Sequence, residues 1–488
     1  MNIETFDVIV IGGGPGGATT SALVAMAGHK VLLLEKDKFP RYQIGESLLP
    51  ATTHYIVDAL GIREEIEKAQ FVTKRGGTFL WGKNKEPWTF SFLTTPGTLE
   101  TFQGRPAFAY QVERSKFDKI LLDNAVKRGV DVREERLVTN LIEEGGRVVG
   151  VNFTDSKGSK NSARSKFVVV AGGHKNQLYK YVGERIYSKL FQNIAIFTYY
   201  ENGKRMPQPN QGNIACCSFP EGWFWYIPLS ETVTSVGAVV RIEHAKIIQE
   251  LGHENALERF IGNCPMIKDF LKDAKRVTEG DKGEIRTRKE YSYCNSKFWK
   301  PGIALIGDAA CFIDPVFSSG VHLATYSGRL AARSINTVLN TKIDEQEAFD
   351  EFEFRYRLEY VYTYSFLMSL YQLGLYENEY FQIAKDILRS DASPRDAFVS
   401  LVSGMASDEL GILKKSEVEG AVPSLVGVEK ISKDVSETGQ RIFALAVNDL
   451  SLQMAEVLGP EEKHVIKALK DRTGRLALAN DGEYWVKS

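Results

Sequence analysis

The chain has 488 residues and a formal net charge of −1. That length accommodates two or three domains with large cores, and the near-neutral balance argues against nucleic acid or an anionic membrane as partner. Cys216, Cys217, Cys264, Cys294 and Cys311 form no Cys-x-x-Cys pair and the histidines are scattered, so neither a metal site nor a disulfide framework is expected.

Asp7–Ile11 is a short, almost continuous apolar run, the pattern of a buried parallel strand. Gly12, Gly14 and Gly17 follow it in dinucleotide-binding spacing: one glycine for the tight turn, one for close approach of a pyrophosphate, one for helix–strand packing. A helix is predicted over 18–27, then a strand at Val31–Leu34. Glu35 closes that strand about 20 residues after the glycines, where an acid meets a ribose hydroxyl. On residue type alone, Gly45-Glu46-Ser47-Leu48-Leu49-Pro50 reads as a turn, Lys74 as a solvated charge and Arg114 as half of a surface ion pair. With a strand predicted from residue 6, no basic-plus-apolar leader and no bilayer-length apolar run, the expected location is cytoplasmic, with no membrane association.

Phe167–Val170 is a second buried strand. Trp223-Phe224-Trp225-Tyr226-Ile227-Pro228 is a third kind, aromatic and β-branched. Alternation puts both indoles on one face and Phe224 and Tyr226 on the other, and Pro228 ends the strand or holds it at an edge. Gly302–Ile306 runs into the Gly307-Asp308 turn. After Asp314-Pro315-Val316-Phe317 a helix is predicted from about 321 to 339, with Ser318 and Ser319 as caps. A second Gly-rich helix start invites an anion or the polar edge of a cofactor. Residues 349–375 are dense in aromatics at helical spacing, which suits packing over the dinucleotide domain or the lining of a substrate cavity. Ala421–Gly427 reads as a loop between helices.

These segments together resemble the flavin-dependent halogenases, within the flavoprotein monooxygenase superfamily, from about residue 5 to 345. The resemblance rests on the glycine unit, Gly45–Pro50, Lys74-Arg75-Gly76-Gly77, Gln111-Val112-Glu113-Arg114 before Phe117-Asp118, the Gly307-Asp308 segment and, above all, Trp-x-Trp-x-Ile-Pro. It implies an α/β fold: a Rossmann-like FAD domain of the aromatic hydroxylase type, an inserted antiparallel substrate sheet and a helical C-terminal region. The implied division is an FAD module from 1–72, 108–180 and 278–345, a substrate sheet from 73–107 and 181–277 carrying Lys74 and the tryptophan strand, and a helical region over 346–488. Implied cofactor contacts are Gly12, Gly14, Gly17, Glu35, Lys36, Arg41, Glu46, Ser47, Arg114, Asp308, Pro315, Gly320 and Val321. The backbone N–H groups of Ser319 and Gly320 are implied to meet chloride or bromide.

The implied reaction begins with reduced FAD, supplied by a separate flavin reductase, and O2. Together they oxidise halide to hypohalous acid, which travels to Lys74 and halogenates an electron-rich aromatic ring. Trp223 and Trp225 would keep substrate from the flavin, and a closed, dry passage would contain an indiscriminate oxidant. Two positions depart from relatives. Val170 stands where superfamily members often carry Asp, which weakens a reading as an NADPH-dependent hydroxylase. Phe317 stands where tryptophan halogenases carry a Glu that works with the lysine, which points to a phenol or pyrrole, with a phenol favoured and a carrier-tethered tyrosyl group as one form of it. An aromatic hydroxylase of the same fold and a non-catalytic carrier- or product-binding protein are the competing readings. Oligomeric state is not encoded in any of these motifs.

Overall fold

A computed structural model describes residues 3–94, 106–406, 442–447, 476–479 and 482–487. The eight-stranded sheet has the order Trp299–Lys300, Ile303–Leu305, Lys160–Val170, Glu4–Ile11, Val31–Leu34, Asp131–Arg133. Its pairings from Ile303–Leu305 to Asp131–Arg133 are parallel. Val8, Ile9 and Val10 are wholly buried, which is why this strand is apolar at successive positions rather than alternating. A hairpin of Leu137–Glu144 and Arg147–Thr154 joins the sheet antiparallel to Lys160–Val170.

The helix after the first strand spans Pro15–Met26, starting earlier than its apolar pattern suggested because Pro15 sits at the first helical position. A Cβ on Gly17 would lie 1.9 Å from the Gly12 carbonyl oxygen, and one on Gly16 2.8 Å from that of Ala324. Glycines therefore let this helix approach both its own strand and the long helix Ser319–Asn340.

A nine-stranded sheet forms the second layer, in the order Cys311–Phe312, Arg286–Asn295, Arg185–Glu201, Val233–Arg241, Gly222–Pro228, Ile214–Phe219, Gly76–Leu80, Trp88–Ser91, with Lys275–Arg276 beside Arg185–Glu201. The sheet is antiparallel except where Ile214–Phe219 pairs parallel with Gly76–Leu80. Trp223 and Trp225 join the main core, whereas Phe224 and Tyr226 face a smaller core under Ala245–Gly262 and Pro265–Leu271. Pro228 ends its strand, which is central rather than an edge.

Several boundaries differ from the motif-based division. Arg286–Asn295 and Cys311–Phe312, expected in the cofactor module, run in the nine-stranded sheet, because their ladder partners lie there. Lys74 is not on that sheet: Val72–Lys74 pairs with Ala109–Gln111 in a separate two-stranded ribbon. The C-terminal region is not helical throughout. Helices Glu345–Leu370, Glu377–Leu388 and Pro394–Val402 are followed by a ribbon of Leu476–Leu478 and Trp485–Lys487, where the Trp485 indole donates to Ser334 on the long helix at 2.8 Å. The loop expected at Ala421–Gly427 lies outside the described residues. Among the described residues no helix is long and apolar enough to cross a membrane, and no cluster of His, Cys, Asp or Glu could hold a metal.

The aromatic stretch divides its work. Phe349 stacks on Phe167 of the parallel sheet at 5.6 Å, which is the packing role. At the far end Tyr371 reaches the tryptophan strand and the Asp314 loop.

Candidate active site

A cleft of about 1250 Å³ opens at the C-terminal ends of the parallel strands, larger than a drug-sized pocket and suited to an extended dinucleotide. Its walls include Gly12, Gly14, Glu35, Lys36, Arg41, Glu46, Ser47, Arg114, Asp308, Pro315, Gly320, Val321, Trp223 and Trp225. Gly17 and Ser319 are not on the wall; Gly17 packs beneath it, and Ser319 is buried at the first position of its helix.

The residues present fit FAD. A Cβ on Gly14 would meet only the Arg41 guanidinium, at 3.5 Å, so the backbone faces open space next to a cation. The helix at Pro15 directs its N-terminal N–H groups into the same space. Glu35 lies just past the second strand, and its carboxylate accepts from Gly13 N at 2.6 Å and Asp37 N at 2.8 Å, which braces the glycine turn. Arg114 is no surface ion pair. It is buried, gripping Asp118 at 2.7 and 2.9 Å and donating to the carbonyls of Ile44 at 2.8 Å and Gly45 at 3.2 Å. Asp308 sits opposite Arg288 at 3.5 Å.

Ser318 occupies the cap position before the long helix with φ of 59°, yet its side chain makes no capping bond. Asp314 does the capping in this loop instead, accepting from Val316 N at 3.0 Å. A Cβ on Gly320 would meet nothing within 4 Å, so the helix N-terminus is open to the cleft there.

Lys74 is 2 % exposed. Its Nζ donates to Ser47 Oγ and to Leu48 O, both at 3.0 Å, and lies 5.6 Å from the centre of the Phe92 ring. Burial lowers its pKa to about 7, against a small opposing effect from Cys216. Cys216 is the ladder partner of Trp225, and its thiol, pushed up to about 12 by burial, points at Val316 O from 3.8 Å. Cys216 thus lies between Trp225 and the 314–320 loop, within electrostatic reach of Lys74. Ser47 holds the lysine and lines the cofactor cleft at once.

The two indoles are fixed differently. Trp223 Nε1 donates to Tyr371 OH at 2.9 Å, and Trp225 Nε1 to Ser235 Oγ at 3.2 Å. Tyr371 OH and Asn193 Nδ2 both donate to Asp314 Oδ2, at 2.7 and 2.8 Å. Burial raises Asp314 to about 6 despite these bonds. Glu46 is buried on the cleft wall and raised to about 7 by desolvation. Sequence reasoning did not find Asn193, Tyr199, Cys216 or Ser235; they act through pairings that no linear motif reveals.

Residues 7–103 and 93–393 match the tryptophan halogenase family model. The chain belongs to the flavin-dependent halogenases. This halogenase is 32 % identical to a tryptophan 2-halogenase of Chondromyces crocatus, over 89 % of its own length and 81 % of the relative's. It is 30 % identical to a 1H-pyrrole-2-carbonyl-[peptidyl-carrier protein] chlorinase of Pseudomonas fluorescens, over 77 % and 85 % of the two chains. Among solved structures it resembles the myxobacterial chondrochloren halogenase CndH, with a TM-score of 0.76, 45 % identity and coverage of 99 % and 100 %. The halogenase is accordingly an oxidoreductase that uses reduced FAD, O2 and halide to halogenate an aromatic substrate.

Proposed function

We propose that this halogenase acts on a phenolic ring and that Lys74 is the residue that hands over the halogen. Bound in the cleft, reduced FAD delivered by a separate reductase supplies, with O2, the oxidising power that turns chloride or bromide into hypohalous acid. Gly12, Gly14 and the Pro15 helix start would hold its pyrophosphate, Glu35 a ribose, and Lys36, Arg41, Arg114 and Asp308 its polar periphery. The N–H groups of Ser319 and Gly320 would orient the halide by helix-end polarity, without a committed counter-charge.

The observation that carries this reading is the Lys74 amine, enclosed and held by Ser47 Oγ and Leu48 O. With a pKa near 7 it is present in both forms at neutral pH. The charged form donates a hydrogen bond to hypohalous acid. The free amine attacks the halogen, forming an N–halogen bond and releasing water. An arginine would stay protonated and could not do the second. Trp223 and Trp225 form the wall that keeps the ring substrate from the cofactor.

The substrate class follows from what Lys74 lacks. Its hydrogen bonds among the described residues are to a hydroxyl and a carbonyl, with no carboxylate. Phe317, where a Glu would assist, is buried 5.2 Å from the Phe366 ring. With no acid to polarise the halogen donor further, the acceptor ring must bring its own electron density, as a phenol does. A tyrosyl group on a carrier protein is one form of this substrate, and a curated relative is named for a carrier-bound ring.

The test is mass spectrometry of products from reductase, FAD, chloride or bromide, and a panel of phenols, pyrroles, tryptophan and carrier-bound tyrosine. Halogenated phenol is the expected product. Halogenated tryptophan without phenol turnover would overturn the substrate assignment. Hydroxylated product made from NAD(P)H without reductase or halide would overturn the reaction.

A further inference from the structure

Oxidising one halide with reduced flavin consumes two protons: FADH− + O2 + Cl− + 2 H+ gives FAD + HOCl + H2O. Those protons need a donor beside the cofactor. Glu46, which the mechanism above leaves idle, stands in that place on the cleft wall. Its Oε1 accepts from Tyr199 OH at 2.9 Å, and Tyr199 OH lies 2.8 Å from Tyr42 OH. A phenol carries a single proton. Tyr199 gives its proton to Glu46, so Tyr42 must donate to Tyr199, and both O–H bonds point inward to the carboxyl. Tyr42 is half-buried, with the Arg286 guanidinium 4.1 Å over its ring. At the other end Glu46 faces the cofactor cleft, with Ser235 beside its carboxyl.

We propose that Tyr42, Tyr199 and Glu46 form an inward proton relay whose last member, Glu46, gives its proton to oxygen at the cofactor. The proposal rests on the FAD-dependent reaction above. Glu46 releases a proton from Oε2 to an oxygen left basic when halide takes its partner. Its carboxylate then takes the Tyr199 proton at Oε1, Tyr199 takes that of Tyr42, and Tyr42 takes an H+ from bulk solvent; one pass supplies one of the two protons, and rotation of the carboxyl and the two hydroxyls resets the relay. No electrons move. Burial and Glu46 hold the Tyr199 phenol far above its usual range, so the protons shift together rather than through a tyrosinate. Burial favours the neutral carboxyl of Glu46, whereas Ser235, Tyr199, Lys282 and Arg114 all favour its charged form.

Tyr199→Phe tests this, because the ring remains in the core and only the hydroxyl is lost. Expected are unchanged FAD affinity, hypohalous acid formation slowed about 100-fold, within the range for lost general-acid catalysis, and an altered solvent isotope effect and pH profile. A wild-type rate, profile and isotope effect in this variant overturn the relay. An independent readout uses the cofactor-free protein. The infrared carboxyl band assigned to Glu46 by its loss in Glu46→Gln should titrate near neutrality and move to higher pH in Tyr199→Phe, since that hydrogen bond favours the carboxylate. A band that titrates in the ordinary carboxylate range, or does not move, overturns the relay even where the wild-type protein makes no hypohalous acid, a result that would count against the proposed function.

Discussion

The indole nitrogen of Trp223 donates to the hydroxyl of Tyr371 across 2.9 Å, although 148 residues separate them in the chain. Tyr371 donates onward to Asp314, in the loop leading to the long helix. The tryptophan wall, the aromatic helix and the candidate halide loop are therefore one mechanical unit.

Tyr371→Phe is expected to break that unit while keeping the ring. It strands the Trp223 N–H and removes a donor from Asp314, at a cost of about 1–3 kcal/mol, measurable by urea denaturation. With the indole released, a larger share of reduced flavin should end as hydrogen peroxide. A peroxide assay beside product mass spectrometry reads that share, and an unchanged ratio would show that the hydrogen bond does not hold the wall.

Gly237→Ala offers a second way to move the wall. An added Cβ would sit 2.3 Å from Trp225 Cζ2 and 2.6 Å from Phe197 Cβ, inside a regular ladder that cannot give way. The Trp225 indole must shift, at a cost of about 1–3 kcal/mol from overpacking. Intrinsic fluorescence should change, and halide oxidation should become less tightly coupled to product. Unaltered fluorescence and coupling would mean that Trp225 tolerates displacement.

Lys74→Met should separate oxidant production from its use. The variant is expected to fold, bind FAD, consume reduced flavin and release hypohalous acid that a diketone trap can capture, while ring halogenation falls below detection. Ring halogenation at the wild-type rate would remove Lys74 from the mechanism.

The same pair of proteins tests the lysine's protonation. Unfolded, Lys74 keeps its proton to an ordinary value of 10.5; folded, it releases it near 7. Between these values the unfolded state binds more protons, so this residue makes stability rise with pH. Its burial penalty is therefore full below about pH 7 and fades towards 10.5. Lys74→Met lacks the penalty, so its stability advantage should be greatest at pH 7 and shrink by up to about 1.4 kcal/mol per pH unit. Denaturation at pH 7, 8 and 9 measures the gap, and a constant gap would show that Lys74 is charged throughout.

Much of this site was legible because its chemistry is written locally. The glycine turn, the Glu35 position and the facing of Trp223 and Trp225 depend on short-range spacing, and the structure realises each. What stayed hidden depends on pairing across the chain. Lys74 carries no sign of burial in its own neighbours; it is buried because residues 47 and 48 fold back over it. Arg286–Asn295 looks like part of the cofactor module until its ladder with Arg185–Glu201 is seen. The C-terminal ribbon escaped because its three-residue strands are shorter than any periodicity can reveal.

Consecutive residues, Glu46 and Ser47, both line the cofactor cleft, and Ser47 also holds the lysine. Their backbone is clasped on both sides, by Arg114 on the carbonyls of Ile44 and Gly45 and by ladder-like bonds from Val112 N to Glu46 O at 2.7 Å and Leu48 N to Tyr110 O at 2.9 Å. For anyone retargeting this catalyst, the clasp sets where grafts can be cut. Under the proposed mechanism, swapping the 44–50 stretch would retune oxidant generation and halogen delivery together, so a library should spare it and vary the surroundings of Phe92 and Phe317 instead.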